Sequence, residues 1–173
     1  INHIGENRIQ EADKKFESFD SMPNITRRFI GHLQKNKVNK CLELFDTIDS
    51  VDSFKLAEKI NNRSGFLNRK TSILLEINTS GDESKKGFAP SLSDDFYSIF
   101  GLDSLKVDGL MTMGPLSQKE DETRSAFALL RKIKTKINDQ LSGEPIKELS
   151  MGMSGDFQIG IEEGSTMIRL GTA

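Results

Sequence analysis

The sequence is poor in the residue types on which many reactive sites depend. Its 173 residues include one cysteine, Cys41, two histidines, His3 and His32, and no tryptophan. A single cysteine cannot form an internal disulfide, and two histidines exclude a histidine-rich metal site. We therefore expect neither a disulfide framework nor a bound metal, and we assign the protein to the cytoplasm.

Strong net charge and long apolar runs are also missing. The 24 basic and 26 acidic residues give a net charge of −2, which argues against a strongly basic nucleic-acid or membrane-surface binder. No apolar run approaches the roughly 20 residues of a membrane-spanning helix. Glycine-rich nucleotide motifs are absent, and Gly152-Met153-Ser154-Gly155 differs from a nucleophile elbow because its second glycine comes one position early. This difference disfavours a Ser-His-Asp hydrolase.

Short apolar runs alternate with stretches of helical periodicity. Residues 72–78 are almost continuously apolar, which is typical of a strand buried on both faces. The strongest helix follows Pro115, with Ser117 and Glu120 as a capping box, and it ends before Gly143. Strand-then-helix alternation predicts one α/β domain over residues 1–173 with a parallel sheet. We predict strands over residues 1–4, 28–31, 44–48, 72–78, 105–112, 148–151 and 166–170. The other predicted helices cover 6–19, 35–42, 51–61 with Ser50 as its cap, 91–101 with Ser91 at its start, and 156–163.

The residues after the last two predicted strands carry the clearest sign of a binding site. In parallel α/β folds, ligands bind at the carboxyl ends of the strands. Residues 152–156 lie between a predicted strand and a predicted helix, so their backbone N–H groups suit a phosphate. Thr172 follows the final strand and adds a hydroxyl beside the same place in a closed barrel. The alternative is that glycine and serine here only form turns and a helix cap.

Arg169 is a charged residue inside an apolar run, between Ile168 and Leu170. Successive strand residues point to opposite faces, so Arg169 points either into the barrel or towards the helix layer. An inward arginine can bond a phosphate or a ring nitrogen, whereas an outward one pairs with an acid on a covering helix. The spacing leaves both orientations open.

The same loop positions match the motifs of a known family. The matching stretches are residues 5–7 with 10–11, 29–34 with 36–37, 77–78 with 84–85 and 87, 109–111, 161, 164–166, 169 and 171–173, together with Leu149-Ser150-Met151-Gly152-Met153-Ser154-Gly155-Asp156. On these residues the chain resembles the pyridoxal-phosphate homeostasis proteins, which are similar to the barrel domain of alanine racemase. The match runs from end to end of the chain, and it is most specific over residues 150–173.

The resemblance implies a (β/α)₈ TIM barrel that carries pyridoxal 5′-phosphate (PLP) as a Schiff base. The family's lysine is on the first strand, which we expect upstream of Ile1, so the seven predicted strands are strands two to eight. No lysine of this sequence matches that lysine. The implied cofactor-binding residues are Asn7 at the pocket rim, Ser154, Gly171 and Thr172 at the phosphate, and Arg169 at the pyridine nitrogen; Met151 is added because it could pack against a planar ligand.

Members of that family are thought to bind, buffer and deliver the cofactor. The leading hypothesis is therefore a non-catalytic PLP carrier in vitamin B6 homeostasis, a monomer that passes PLP to apo-enzymes. The alternative is an alanine-racemase-like PLP enzyme acting on amino acids. Such an enzyme needs a second acid/base group over the ring, and the only tyrosine, Tyr97, lies in a predicted helix. A third reading is a barrel that binds another phosphorylated metabolite.

Overall fold

Seven strands alternate with six α-helices in the computed structural model, which describes residues 2–16, 24–82 and 84–171. This alternation confirms the order of elements that the apolar pattern predicts. The strands are β1 (His3–Glu6), β2 (Thr26–Phe29), β3 (Thr47–Val51), β4 (Thr71–Glu76), β5 (Leu105–Met111), β6 (Glu148–Met153) and β7 (Met167–Arg169). The helices are α1 (Ile9–Phe16), α2 (Val38–Leu44), α3 (Phe54–Phe66), α4 (Asp94–Ser98), α5 (Glu120–Gln140) and α6 (Phe157–Glu162), with 3₁₀ turns at Lys35–Lys37 and Ile99–Gly101.

All seven strands belong to one parallel sheet, and their order in the sheet equals their order in the chain, β1 to β7. Each helical connection therefore leads from one strand to its immediate neighbour, always in the same direction across the sheet. Repetition of one such crossover curls the sheet, since parallel connections have a single hand. The carboxyl ends of the strands consequently gather at one end of the molecule, where the loops that follow them can form a site.

The main apolar core lies between the outer face of the sheet and the helices. The long helix α5 contributes one apolar face to this core, because Phe127, Leu130, Ile133 and Ile137 are all buried. At the other end of the sheet, Phe45 packs edge-on against two further rings, Phe16 and Phe29. No helix among the described residues is long and apolar enough to cross a membrane.

Two predicted helix caps are wrong, and their side chains are used elsewhere. Ser50 lies within β3 and its hydroxyl donates to the Gly31 carbonyl, while α3 begins three residues later, after Ser53. Ser117 Oγ donates to Glu122 Oε2 at 2.5 Å, and α5 begins at Glu120 with Lys119 as its N-cap residue. A serine at the expected start of a helix therefore does not always cap it, because its hydroxyl can donate to another acceptor nearby in the fold.

Some predicted boundaries are also wrong. The predicted strand 44–48 overlaps the end of α2, which continues to Leu44, and β3 starts only at Thr47. The cause is that apolar residues occur on both sides of the boundary, and no glycine or proline separates the helix from the strand. The third helical segment starts after Ser93 rather than Ser91. The first predicted helix is shorter than expected at its start, because α1 begins at Ile9, and its predicted end at 17–19 lies outside the described residues.

Candidate functional site

The loops after β6 and β7 meet, as the sequence predicts. The Gly171 N–H donates to Ser154 Oγ at 3.2 Å, and both residues are exposed. No described hydrogen bond uses the backbone N–H of Ser154 or of Gly155. The Asp156 carboxylate accepts from the Met153 N–H at 2.5 Å and so closes the turn. The result is a small concave group of free backbone donors around one hydroxyl, which suits a phosphate or another anion.

Close packing of α6 on β6 fixes the position of this loop. Gly152 has φ +98°, a conformation that favours glycine, and a Cβ at Gly160 would lie 2.9 Å from the Met151 carbonyl oxygen. Gly114, in the loop after β5, lies equally close to the turn at 153–156, since a Cβ added at this glycine would lie 2.5 Å from Asp156 Oδ2. Three glycines therefore hold the turn at 153–156 against its neighbours.

Arg169 points into the barrel, which decides between its two predicted orientations. The side chain is buried, its Nη1 donates to Ser150 Oγ at 2.7 Å, and its Nη2 donates to the Thr112 carbonyl at 2.8 Å. The same Nη2 lies 3.3 Å from Met113 Sδ. Burial lowers the pKa of Arg169, and the nearby carboxylates of Asp49, Asp156 and Glu76 oppose that shift. None of the described hydrogen bonds uses its Nε–H, which leaves this donor without a protein acceptor.

A second buried arginine forms an ion pair deeper in the barrel. Arg28 Nε donates to Asp49 Oδ2 at 2.7 Å, and its Nη2 donates to Asp49 Oδ1 at 3.1 Å. Thr47 Oγ1 adds a third hydrogen bond to Asp49, at 3.0 Å. Burial raises the pKa of Asp49, and the Arg28 guanidinium opposes the rise. The paired carboxylate also offsets part of the Arg169 charge, so charged groups of both signs lie close together in the barrel interior.

Glu76, the last residue of β4, lines a pocket of about 290 Å³ at the carboxyl ends of the strands. Asn7, Lys85, Thr112 and Met113 line the same pocket. Burial, together with the charge of nearby Asp52, raises the pKa of Glu76 to about 7, and Arg169 opposes this shift. A larger cavity of about 890 Å³ opens at the opposite end, among the starts of β5, β6 and β7, away from every predicted site residue.

The predicted site residues are distributed unevenly around this geometry. The structure brings Ser154 and Gly171 into contact and places Arg169 in the interior; Asn7 is exposed and lines the pocket with Glu76. Thr172 lies outside the described residues.

The placement of Met151 is a correction. This side chain is fully buried in the apolar cluster between sheet and helices, on the opposite face of β6 from Ser150, and so faces away from the interior. Tyr97 lies on α4, as predicted, and its hydroxyl donates to Gln140 Oε1 on the outside of the molecule.

The sequence reasoning missed the interior partners of Arg169 and the carboxyl group of Glu76. Ser150 is two residues before Gly152 in the same strand, and an inward Arg169 implies an inward partner on the neighbouring strand. Glu76 is the only charged residue in the predicted strand 72–78, and that exception in an apolar run was the available signal.

Comparison with known proteins decides the family. The sequence profile of the family described as "Alanine racemase, N-terminal domain" matches residues 1–173. The chain belongs to this family. The "Pyridoxal phosphate homeostasis protein" of Synechocystis is 41% identical over 173 residues, which are 99% of this chain and 79% of that protein. The protein of the same name from Aquifex aeolicus is 37% identical over 169 residues and is covered over 73% of its length.

Solved structures of family members share the fold closely. PipY of Synechococcus elongatus without PLP is 37% identical and superposes with a TM-score of 0.93, covering 99% of this chain and 80% of that one. The same protein with PLP bound gives a TM-score of 0.90. Alanine racemase of Clostridium difficile, 16% identical, gives a TM-score of 0.80 over 99% of this chain and 44% of that chain, which is a likeness of fold. These likenesses confirm the predicted barrel architecture of the family.

Proposed function

We propose that this chain binds pyridoxal 5′-phosphate and acts as a non-catalytic carrier; its relatives are named for PLP homeostasis. The observation that carries the proposal is the junction of Ser154 and Gly171 at the same end of the barrel as the inward guanidinium of Arg169. A cradle for an anion and a buried donor for a ring nitrogen are the two features that the two ends of PLP require. PLP bound to PipY in the related structure supports the same reading.

The residues present fit the cofactor. Ser154 Oγ and the free N–H groups of Ser154 and Gly155 would hold the phosphate. Arg169 would face the pyridine nitrogen, and because a guanidinium has donors but no acceptor, it would keep that nitrogen unprotonated. When bound, PLP supplies an aldehyde that reacts with amines and a ring that acts as an electron sink. An unprotonated ring is a weaker sink, which favours storage of the cofactor over catalysis.

The proposal extends to partners and location. We propose that the carrier acts as a monomer in the cytoplasm and that its recipients are PLP-dependent apo-enzymes. The exposed phosphate cradle supports transfer, since Ser154, Gly155 and Gly171 are all reachable from solvent and the cofactor can leave without unfolding of the barrel.

Replacement of Ser154 by alanine tests the proposal. We expect Ser154→Ala to weaken PLP binding by about tenfold, the cost of one hydrogen bond to a charged group. Equilibrium dialysis of the 173-residue chain against PLP measures the dissociation constant. The matched control is Ser98→Ala on α4, where the hydroxyl bonds only the Asp94 carbonyl at an exposed position. An unchanged affinity in Ser154→Ala would contradict the proposed phosphate site at Ser154 and Gly155. A chain that never takes up PLP would refute the proposed function.

A further inference from the structure

The carboxyl group of Glu76 lies at the barrel mouth, and none of the described residues pairs with it. No side-chain hydrogen bond or ion pair within 4 Å reaches its carboxyl group from the described part of the chain. Two of its polar neighbours are satisfied: the Thr112 hydroxyl donates to the Ile77 carbonyl at 2.7 Å, and Asn78 Nδ2 donates to the Asp82 carbonyl at 2.8 Å. A half-buried carboxyl group without a donor loses solvation and gains nothing from the protein in return.

The charges around Glu76 come from four sides of the pocket. Arg169 on β7 acts on it from across the interior, and Asp52, just after β3, opposes ionisation. His32, Lys85 and Lys86 line the same pocket from the loops after β2 and β4, yet none of them forms an ion pair with Glu76. Lys85 is occupied, since its ammonium donates to the Gly114 carbonyl, and His32 Nδ1 lies 3.3 Å from Asp52 Oδ2. The carboxylate of Glu76 is therefore available to accept a hydrogen bond from a ligand in this pocket.

We propose that Glu76 is a specificity-determining residue, whose carboxylate accepts a hydrogen bond from a positively charged nitrogen of the ligand. The inference rests on the proposed function, because the ligand is then a phosphorylated pyridine held at 153–156 and beside Arg169. Such a site favours the amine form of the cofactor, which carries an ammonium group in place of the aldehyde, over the alcohol form. A charge-assisted hydrogen bond in a half-buried site gives a preference of about tenfold or more.

The acid–base behaviour of Glu76 supports the same assignment. Burial raises its pKa to about 7, so the empty site holds a mixture of neutral and charged carboxyl groups near neutral pH. An ammonium group within hydrogen-bond distance favours the charged form and lowers that pKa. The preference for the amine ligand should therefore increase as the pH rises through about 7 and disappear in acid.

The test compares two probes that differ at one group, pyridoxamine 5′-phosphate and pyridoxine 5′-phosphate. Isothermal titration of each into the wild-type chain gives the ratio of the two dissociation constants. We expect a ratio of about ten or more in favour of the amine, and we expect Glu76→Gln to reduce the ratio to about one. Glu58→Gln, an exposed position on α3, removes the same charge and should leave the ratio unchanged.

The outcomes separate this inference from the proposed function. Binding of both probes with equal affinity, or a ratio that Glu76→Gln does not change, overturns the role of Glu76 and leaves the cofactor site standing. Failure of both probes to bind the wild-type chain overturns the site itself, whereas binding of the alcohol probe alone overturns the role of Glu76. If Glu76→Gln does not fold, the wild-type ratio measured from pH 5.5 to 8.5 decides, since a ratio independent of pH contradicts the proposal.

Discussion

Single residues in the interior account for most of the polar character of this barrel. Arg169 and Arg28 both lose solvation on burial, and each recovers it through specific acceptors: Ser150 Oγ and the Thr112 carbonyl for one, the Asp49 carboxylate for the other. Buried charges are stable only when paired or hydrogen-bonded in this way. The carboxyl group of Glu76 has no such partner among the described residues, and its behaviour should be visible in stability as well as in binding.

Replacement of Glu76 by glutamine should stabilise the ligand-free chain at neutral pH. The pKa of Glu76 rises from an ordinary 4.5 to about 7 in the folded state, so the folded protein binds more protons than the unfolded chain between these values. Wild-type stability therefore falls as the pH rises from 4.5 to 7, by up to about 3 kcal/mol, and levels off above that. Urea unfolding at several pH values measures this difference.

The glutamine variant lacks that titration, so the stability gap between variant and wild type should widen with pH. Glu58→Gln, which removes the same charge at an exposed position, is again the control. A gap for Glu76→Gln that is constant or narrows across this range would contradict the raised pKa.

At the scale of elements, the contact between α6 and β6 is what places the phosphate loop. Gly160 of α6 lies so close to Met151 that no side chain fits between helix and strand. The loop at 153–156 is short, and its position follows directly from how tightly these two elements pack.

The variant Gly160→Ala should push α6 away from β6. Its Cβ would lie 2.9 Å from the Met151 carbonyl oxygen and 3.2 Å from Gly152 Cα, both of which are backbone atoms. We expect a loss of about 1–2 kcal/mol in the free energy of unfolding, because the strain of overpacking exceeds the helix preference of alanine. Weaker PLP binding should accompany the loss. Gly143→Ala, which has open space around its Cβ, should change neither quantity.

The alternation of strands and helices could be predicted from the sequence, because the spacing of apolar residues depends only on neighbouring positions in the chain. The inward direction of Arg169 could not, since a shift of one residue in a strand reverses every side chain and no local pattern fixes that register. Met151 was misassigned for the same reason: it and Ser150 are neighbours in sequence but lie on opposite faces of β6. The partnerless state of Glu76 depends on what other strands bring near it, which only the fold reveals.

At the scale of the whole molecule, the sheet runs from β1 to β7 with β4 at its centre. Most residues of β4 are buried, whereas β1 alternates between exposed and half-buried positions. Protection of backbone amides should follow that gradient, because opening of a strand with neighbours on both sides disrupts two ladders.

Hydrogen exchange followed by mass spectrometry should show this gradient. We expect the amides of β4 to exchange most slowly and those of β1 and β7 most rapidly among the strands, after correction for the rates of the unfolded chain. Addition of PLP should slow exchange at 153–156 more than elsewhere. Equal exchange rates across all seven strands would contradict the expectation that β4, at the centre of the sheet, is better protected than β1 and β7.

Arg169 is anchored in two chemically different ways, and the difference has a consequence for sequence change. Its bond to Ser150 uses a side chain, whereas its bond to residue 112 uses a backbone carbonyl that every amino acid possesses. Drift in sequence at position 150 can therefore remove one support of the arginine, while position 112 offers the other support whichever residue stands there. An engineer who wishes to retune the pocket without releasing Arg169 therefore has more freedom at position 112, directly after β5, than at position 150 on β6.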